Sequence, residues 1–219
     1  MKLISEREDV NPRVWPSIAD LALCTALIMV LYVVTQFAIS FEATALTLEI
    51  RTRQKQLRTE ILSAVSAEQA KGLTITEDGN LQRIAFADQV LFDSGKAVLK
   101  RTGRAVLGIV GKVLEERSGV FEKVQVEGHT DDLPLRTREL FDSNWELSSA
   151  RSTSVVRFLQ DRCKLAPHLL SATGYSEYHP VDPRKTDGAR AKNRRVELVV
   201  VYSPQTIRVE ALGDGRPGA

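Results

Sequence analysis

The spacing of apolar residues changes character three times along this chain. From Ile18 to Ile39, IADLALCTALIMVLYVVTQFAI, the chain is apolar on every side for about 22 residues. As a helix that stretch crosses the ~30 Å hydrocarbon core of a bilayer. No proline or glycine occurs between Ser17 and Lys71, and Leu46, Ile50, Leu57, Ile61 and Val65 recur at spacings of four and seven. This predicts that the spanning helix runs on as an amphipathic helix ended by Gly72. Arg53 and Gln54 interrupt the stripe, which argues against a long regular coiled coil. Pairing with a second copy and packing on the chain's own domain both fit the stripe.

Beyond Gly72 the period drops to two. LTITEDGNLQRIAF (Leu73–Phe86) alternates around Glu77-Asp78-Gly79-Asn80, a hairpin signal. The helical period then returns: Val106, Ile109, Val110, Val113 and Leu114 mark one face of a helix over Lys100–Arg117. Lys123–Gly128 reads as a strand, His129–Asp142 as a polar loop, and a second helix starts at Ser143. Ser143 and Glu146 have capping-box spacing there, and Leu147, Ala150, Val155, Phe158 and Leu159 form the apolar side. Leu170–Tyr175 and the mostly apolar Arg195–Tyr202 are strands, and the glycine-rich tail from Ser203 is expected to be poorly ordered. Helices alternating with strands predict an α/β sandwich, one sheet covered by helices, behind a single N-terminal transmembrane helix.

A formal net charge of +2 over 219 residues supplies no basic field for nucleic acid. The two cysteines, Cys24 in the apolar run and Cys163 far downstream, make no disulfide framework and no metal-ligand spacing. Cys163 reads as a small buried apolar residue, with a bridge between two copies as the alternative. No A-x-A cleavage site follows the apolar run, so it reads as an uncleaved anchor. Arg51, Arg53, Lys55 and Arg58 follow the span, and the positive-inside rule alone would put them in the cytoplasm. Long domains translocate largely regardless of charge, so composition leaves the orientation open.

Two kinds of polar residue stand out. Asp20 is the one ionisable group in the apolar run. A carboxylate in a membrane helix is expensive and its default reading is functional, although near the helix start it also suits the headgroup level and the helix dipole. Thr25 and Ser17 could help hold a cation beside it, or simply bond to the preceding helical turn. In the soluble part, Glu127-Gly128-His129-Thr130-Asp131-Asp132 leaves a strand and Asn144-Trp145-Glu146-Leu147-Ser148-Ser149-Ala150-Arg151 opens a helix. A carboxylate and a guanidinium at one end of a sheet can clamp a zwitterion, and a plain surface salt bridge is the bland alternative. No catalytic nucleophile, phosphate loop or metal cluster is apparent in the sequence, so an enzyme is not expected.

The order Gly128-His129-Thr130-Asp131, Asn144 with Leu147-Ser148-x-x-Arg151, Gly174-Tyr175-Ser176, and Asn193-Arg194-Arg195-Val196-Glu197 resembles the OmpA-like peptidoglycan-binding domain, over about Leu73 to Tyr202. The resemblance implies that Asp131 and Arg151 hold the diaminopimelate of the wall peptide, with Thr130, Asn144 and Arg194 beside it. Asp132 is a possible substitute for Asp131, the loop between the motifs is longer than in outer-membrane members, and Ser152 replaces the usual alanine. DQVLFDSGKAVLK, GHTDDLP and SNWELSSAR, behind Trp15-Pro16-Ser17-Ile18-Ala19-Asp20-Leu21, look like the B-subunit of ion-driven membrane motors. That group includes the flagellar MotB type and the ZorB type of the Zorya anti-phage system. Only about 30 residues separate span from domain, which leans toward ZorB.

This resemblance implies a cytoplasmic N-terminus (1–16), a span (17–40), a helical linker (41–71), a periplasmic domain (72–203) and a flexible tail (204–219). It further implies a homodimer inside a pentameric MotA- or ZorA-like partner in the bacterial inner membrane, with Asp20 carrying H⁺ or Na⁺ and no bound cofactor. A passive tether between inner membrane and wall is the competing expectation, and only a motor needs Asp20.

Overall fold

The computed structural model describes residues 14–135 and 140–203. The N-terminal segment before Val14, part of the loop between the first two motifs and the tail from residue 204 lie outside the described residues. The chain divides into two units, Met1–Leu46 and Thr47–Ala219.

The first unit is the N-terminal part of α1 (Val14–Ala64), a helix long and apolar enough to cross a membrane. Its large apolar side chains from Leu21 to Phe41 stand exposed. Thr25, Thr35 and Ser40 donate their hydroxyls to the carbonyls of Ala22, Tyr32 and Gln36 at 2.8–2.9 Å. Polar groups satisfied within their own helix are what an apolar surrounding requires. Thr25 thus makes the bond to the preceding turn that helix hydroxyls ordinarily make.

In the second unit, α1 from Thr47 onward buries Ile50, Leu57 and Ile61, and Val65 just beyond the helix is buried too. The stripe packs on the chain's own domain. Gln54, expected only to interrupt the stripe, is buried and donates Nε2 to the carbonyls of Gly79 and Leu81 at 3.1 and 3.2 Å. Its own carbonyl accepts from Gln82 Nε2 at 2.9 Å, and Gln82 in turn accepts the Tyr202 hydroxyl at 2.8 Å. Arg58 pairs with Glu77, and Glu60 with Arg117. The helix stops earlier than Gly72, because Ser66 and Gln69 form a reciprocal capping box that starts the short α2 (Ala67–Ala70).

The hairpin is β1 (Leu73–Asp78) and β2 (Leu81–Ala87), joined at Gly79 and Asn80. Gly79 has φ +57°, a conformation that costs glycine nothing. There follow α3 (Asp88–Leu91), α4 (Arg101–Glu116), β3 (Lys123–His129), α5 (Asn144–Cys163), a 3-10 turn at Pro167–Leu169, β4 (Leu170–Gly174), α6 (Asp187–Asn193) and β5 (Arg195–Val201). Both α3 and α6 are too short to show a helical period, and neither was expected. The sheet runs β1-β2-β5-β3-β4. Its pairs are antiparallel except β3 with β4, the pair connected through α5.

Alternate strand residues point to opposite faces. Ile84 and Phe86, Val124 and Val126, and Val196, Leu198 and Val200 form one buried face with Val106, Leu107, Val110 and Leu114 of α4 and Val155 and Leu159 of α5. On α4, Leu107 rather than Ile109 is fully buried. On α5, Ser148, Arg151 and Ser152 join Leu147 in the interior. Ser152 satisfies its hydroxyl on the carbonyl of Ser149 at 3.0 Å. Cys163 is half-buried against Gly111, with its thiol directed at the Leu107 carbonyl and its pKa pushed up by burial.

Truncating Gln54 leaves two backbone acceptors of the hairpin turn without their donor. Gln54→Ala is expected to lower the unfolding free energy by about 1–3 kcal/mol, read from the denaturant midpoint. Lys55→Ala, one exposed residue further on, should stay within about 0.5 kcal/mol of the parent.

Candidate functional site

The site lies where β3 ends and α5 begins. Gly128 sets that junction: a Cβ there would lie 2.2 Å from the Ser148 carbonyl oxygen, so only glycine lets the helix approach the strand this closely. Backbone bonds secure the same corner, Tyr175 N–H to the Gly128 carbonyl and Thr130 N–H to the Ser176 carbonyl, both 2.9 Å. Ser148 Oγ accepts the Ser176 N–H at 3.1 Å. On the far side, α3 leaves β2 directly, and the Asp88 N–H donates to the Arg194 carbonyl at 3.0 Å.

Between these walls opens a cleft of ≈ 610 Å³. All five soluble-domain residues singled out in the sequence, Thr130, Asp131, Asn144, Arg151 and Arg194, line it. Asp131 and Arg151 do not pair with each other. Asp131 Oδ2 accepts from Arg194 Nη1 at 2.5 Å, while its Oδ1 caps the Leu133 N–H at 3.2 Å. Arg151, buried on α5, reaches Asp88: Nη1 lies 2.8 Å from Oδ1, an ion pair whose N–H is not aimed at the oxygen. Its Nε donates to the Lys96 carbonyl at 3.0 Å, and its guanidinium lies 5.2 Å from the centre of the Phe92 ring.

Asn144 Nδ2 donates to the Leu133 carbonyl at 3.0 Å and to Glu177 Oε2 at 2.8 Å, tying the loop after β3 to the loop after β4. Thr130 is buried, with its hydroxyl on the Asp131 carbonyl at 3.1 Å. Ser143 caps α5 as expected by accepting from the Glu146 N–H, but the Glu146 carboxylate takes the N–H of Asp142. Asp132, unlike Asp131, does not line the cleft. It is exposed, and Arg190 holds it at 2.8 Å and lowers its pKa.

Two residues at the heart of the cleft were missed in the sequence, Asp88 and Phe92. Both lie in the DQVLFDSGKAVLK segment, which carried part of the resemblance, but no spacing connects them to Arg151. Burial pushes the Asp88 carboxyl up to about 6, against the opposing pull of Arg151 and Arg194. Burial likewise lowers the Arg151 pKa, with Asp88 opposing. The cleft thus presents the acids Asp88, Asp93 and Asp131 and the guanidinium groups of Arg151 and Arg194 within one cavity. That arrangement is suited to a small ligand carrying both an ammonium and a carboxylate.

The opposite face of the sheet has its own charged group: Glu127, His129 and Glu197, all buried, with Arg83 and Arg195 among them. Burial pushes the Glu197 carboxyl up, but Arg195 and Arg83 outweigh it and hold it below its usual range.

Fold and cleft together define a domain of the OmpA-like class. Residues 91–194 match the OmpA family. Motility protein B of Bacillus subtilis is 35% identical over 127 residues, which are 58% of this chain and 47% of that protein. The uncharacterized protein YtxE of the same organism is 31% identical over 155 residues, 70% of this chain and 62% of that one. The chain therefore spans only about half to three-fifths of the curated relatives it matches first. Among solved structures, a MotB-like protein from Desulfovibrio vulgaris superposes with a TM-score of 0.66 at 27% identity, covering 73% of this chain and 95% of that one. The cell wall anchor of the type VI secretion system from Pseudomonas aeruginosa gives 0.55 at 28%, covering 62% and 92%. The chain thus has an OmpA-like fold, and its sequence is similar to motility protein B over 58% of its length.

Because Asp88 keeps its proton in the folded state to about pH 6 and loses it near pH 4 when unfolded, it makes stability fall as pH rises between those values. By linkage that fall is about 2–3 kcal/mol. Asp88→Asn is expected to remove this component, so its unfolding free energy relative to the parent should rise across that window. Denaturant titrations from about pH 4 to pH 7 read the difference.

Proposed function

We propose that this protein is a peptidoglycan-anchored B-subunit of an ion-driven motor in the bacterial inner membrane, single-pass, with its N-terminus in the cytoplasm and its domain in the periplasm. One observation carries the wall-binding half of this reading: Asp88, Asp131, Arg151 and Arg194 converge on one cleft. A stem-peptide diaminopimelate, zwitterionic at its side-chain end, can set its ammonium against Asp131 and its carboxylate against Arg151 and Arg194. Arg151 places Nε on the Lys96 carbonyl and Nη1 against Asp88, and its five-donor fork has further N–H groups to offer a ligand oxygen. Names of similar proteins, one for motility and one for anchoring to the cell wall, support both halves of the reading.

The motor half rests on Asp20. In the exposed, apolar part of α1 it is an acid that a mere tether has no use for. A carrier carboxylate is ionised for part of a cycle and neutralised by H⁺ or Na⁺ for the rest. Each charge crossing releases about 2.3 kcal/mol per 100 mV, several times thermal energy. The complex we infer is a homodimer of this chain within a pentameric MotA- or ZorA-like subunit. The segment from Thr47 already belongs to the domain unit, so the spacer after the apolar stretch is short. That favours a ZorB-like defence role over a flagellar one.

Removing Arg151 outright strips Asp88 of its partner inside the fold, so rim residues and conservative changes give the cleaner test of wall binding. Asp131→Asn, Arg194→Ala and Arg151→Lys, the last keeping charge but losing the planar fork, should each weaken binding to purified sacculi by about 2 kcal/mol or more, with a retained melting transition. Unchanged binding by Asp131→Asn and Arg151→Lys together refutes the cleft assignment.

Asp20→Asn keeps size and polarity but cannot load and unload an ion. It is expected to insert, to assemble with its membrane partner and to bind wall, yet to abolish ion flux and biological output. Wild-type output from Asp20→Asn would leave only the tether.

A further inference from the structure

The cleft uses one face of the motif segments, and the other face holds a group that wall binding does not employ. Within β3 and β5 the two-residue period turns the apolar residues to the helices and this charged group to the other face, while Asp131 and Arg194 lie just outside the strand ends. Asp131 and Arg194 serve the cleft, while Glu127 and His129 on β3, and Arg195 and Glu197 on β5, line a second cavity of ≈ 440 Å³ with Arg83 of β2. One ligand atom from each of Glu127, His129 and Glu197 lies within 4.8 Å of the others. His129 Nε2 is 3.7 Å from Glu127 Oε2. His129 is only 3% exposed, its ring stacks on Tyr175 at 5.3 Å, and neither ring nitrogen has a hydrogen-bond partner. A buried imidazole with both nitrogens unpartnered is costly unless something else fills the position.

We propose that Glu127, His129 and Glu197 form a binding site for a divalent transition-metal ion of the Zn²⁺ type on the sheet face opposite the cleft. One imidazole and two carboxylates are a donor set that such ions accept, with the fourth position left to water from the adjoining cavity. Ligand–metal distances of about 2.0–2.2 Å require the three side chains to close in by roughly 1 Å, a shift of side-chain ends rather than of backbone.

The occupant that must leave is Arg83. Its Nη1 bridges Glu127 Oε2 at 3.1 Å and Glu197 Oε2 at 3.0 Å, neutralising the two carboxylates that the ion would use. Arg83 is able to leave, since its side chain is 35% exposed and lies at the mouth of the cavity. Arg195 is not, because its Nη1 donates to the carbonyls of His179 and Asn193 while its Nε holds Glu197 Oε1. Metal and Arg83 therefore compete for one place. Occupancy would join the paired strands β5 and β3 through the ion and hold His129, directly before Thr130 and Asp131 of the cleft. The site stands independently of whether the cleft binds wall peptide.

The competition gives the test a sign that a non-specific metal-binding surface would not show. Full-length protein in detergent, with Cys24→Ser and Cys163→Ser to remove the thiols, is stripped with chelator and titrated with ZnCl₂ by calorimetry. One Zn²⁺ per chain is expected. His129→Gln should weaken the affinity by about tenfold or more, judged on protein that keeps its cooperative melting transition. Arg83→Met should tighten it several-fold, because the carboxylates lose their competing cation. Absence of stoichiometric binding in both the parent and Arg83→Met overturns the proposal. So does binding that folded His129→Gln leaves unchanged, or an Arg83→Met protein that binds no more tightly than the parent.

Discussion

A guanidinium removed from water must be given a counter-charge and hydrogen-bond acceptors, and around Arg151 this requirement organises the domain. Desolvation of such a group costs several kcal/mol, recovered only when the partners are well placed. Asp88 supplies the charge, the Lys96 carbonyl an acceptor and the Phe92 ring a flat surface. All three come from one stretch between β2 and α4, so a single side chain on α5 fastens that stretch over the sheet end and closes one wall of the cleft. The Asp88 carboxyl carries the strain of the arrangement, since burial raises its pKa to about 6 even with two arginines nearby. A site in which acids and bases are held but incompletely satisfied is prepared for a ligand that brings the missing groups.

Strand geometry then decides which charges belong to which site. Arg194 and Arg195 are adjacent in sequence but serve opposite faces, the first pairing with Asp131 in the cleft and the second with Glu197 in the other cavity. Asp131 parts from His129 for a different reason: it lies beyond the end of β3, where the chain has left the strand for the loop. One pair of short motifs thus furnishes two chemically different environments on a five-stranded sheet.

The long helix combines two different surroundings. From Leu21 to Phe41 its large apolar side chains are exposed, with hydroxyls turned back onto the helix, which suits hydrocarbon. From Thr47 it behaves as a helix of the soluble domain, with Ile50, Leu57 and Ile61 buried and Gln54 bonded to the hairpin turn. Its end comes not from glycine but from a serine cap at Ser66.

Periodicity alone was enough to locate the apolar span, the hairpin, α4, α5 and the three remaining strands, because these elements are long enough for burial of one face to leave a repeated pattern. The motif order also singled out Thr130, Asp131, Asn144, Arg151 and Arg194, which line one cleft. What periodicity does not carry is partnership. Asp88 facing Arg151, Arg194 facing Asp131, and Glu127 and His129 meeting Glu197 are contacts between segments far apart in the chain. They are set by strand order and by how closely α5 lies on the sheet. Gln54 makes the point most simply: in a helical pattern a polar residue on an apolar stripe reads as an interruption, and only the hairpin turn beside it, with two carbonyls in need of a donor, makes it a fastening. Local pattern follows from which side chains avoid water, whereas pairing follows from where the folded backbone brings them.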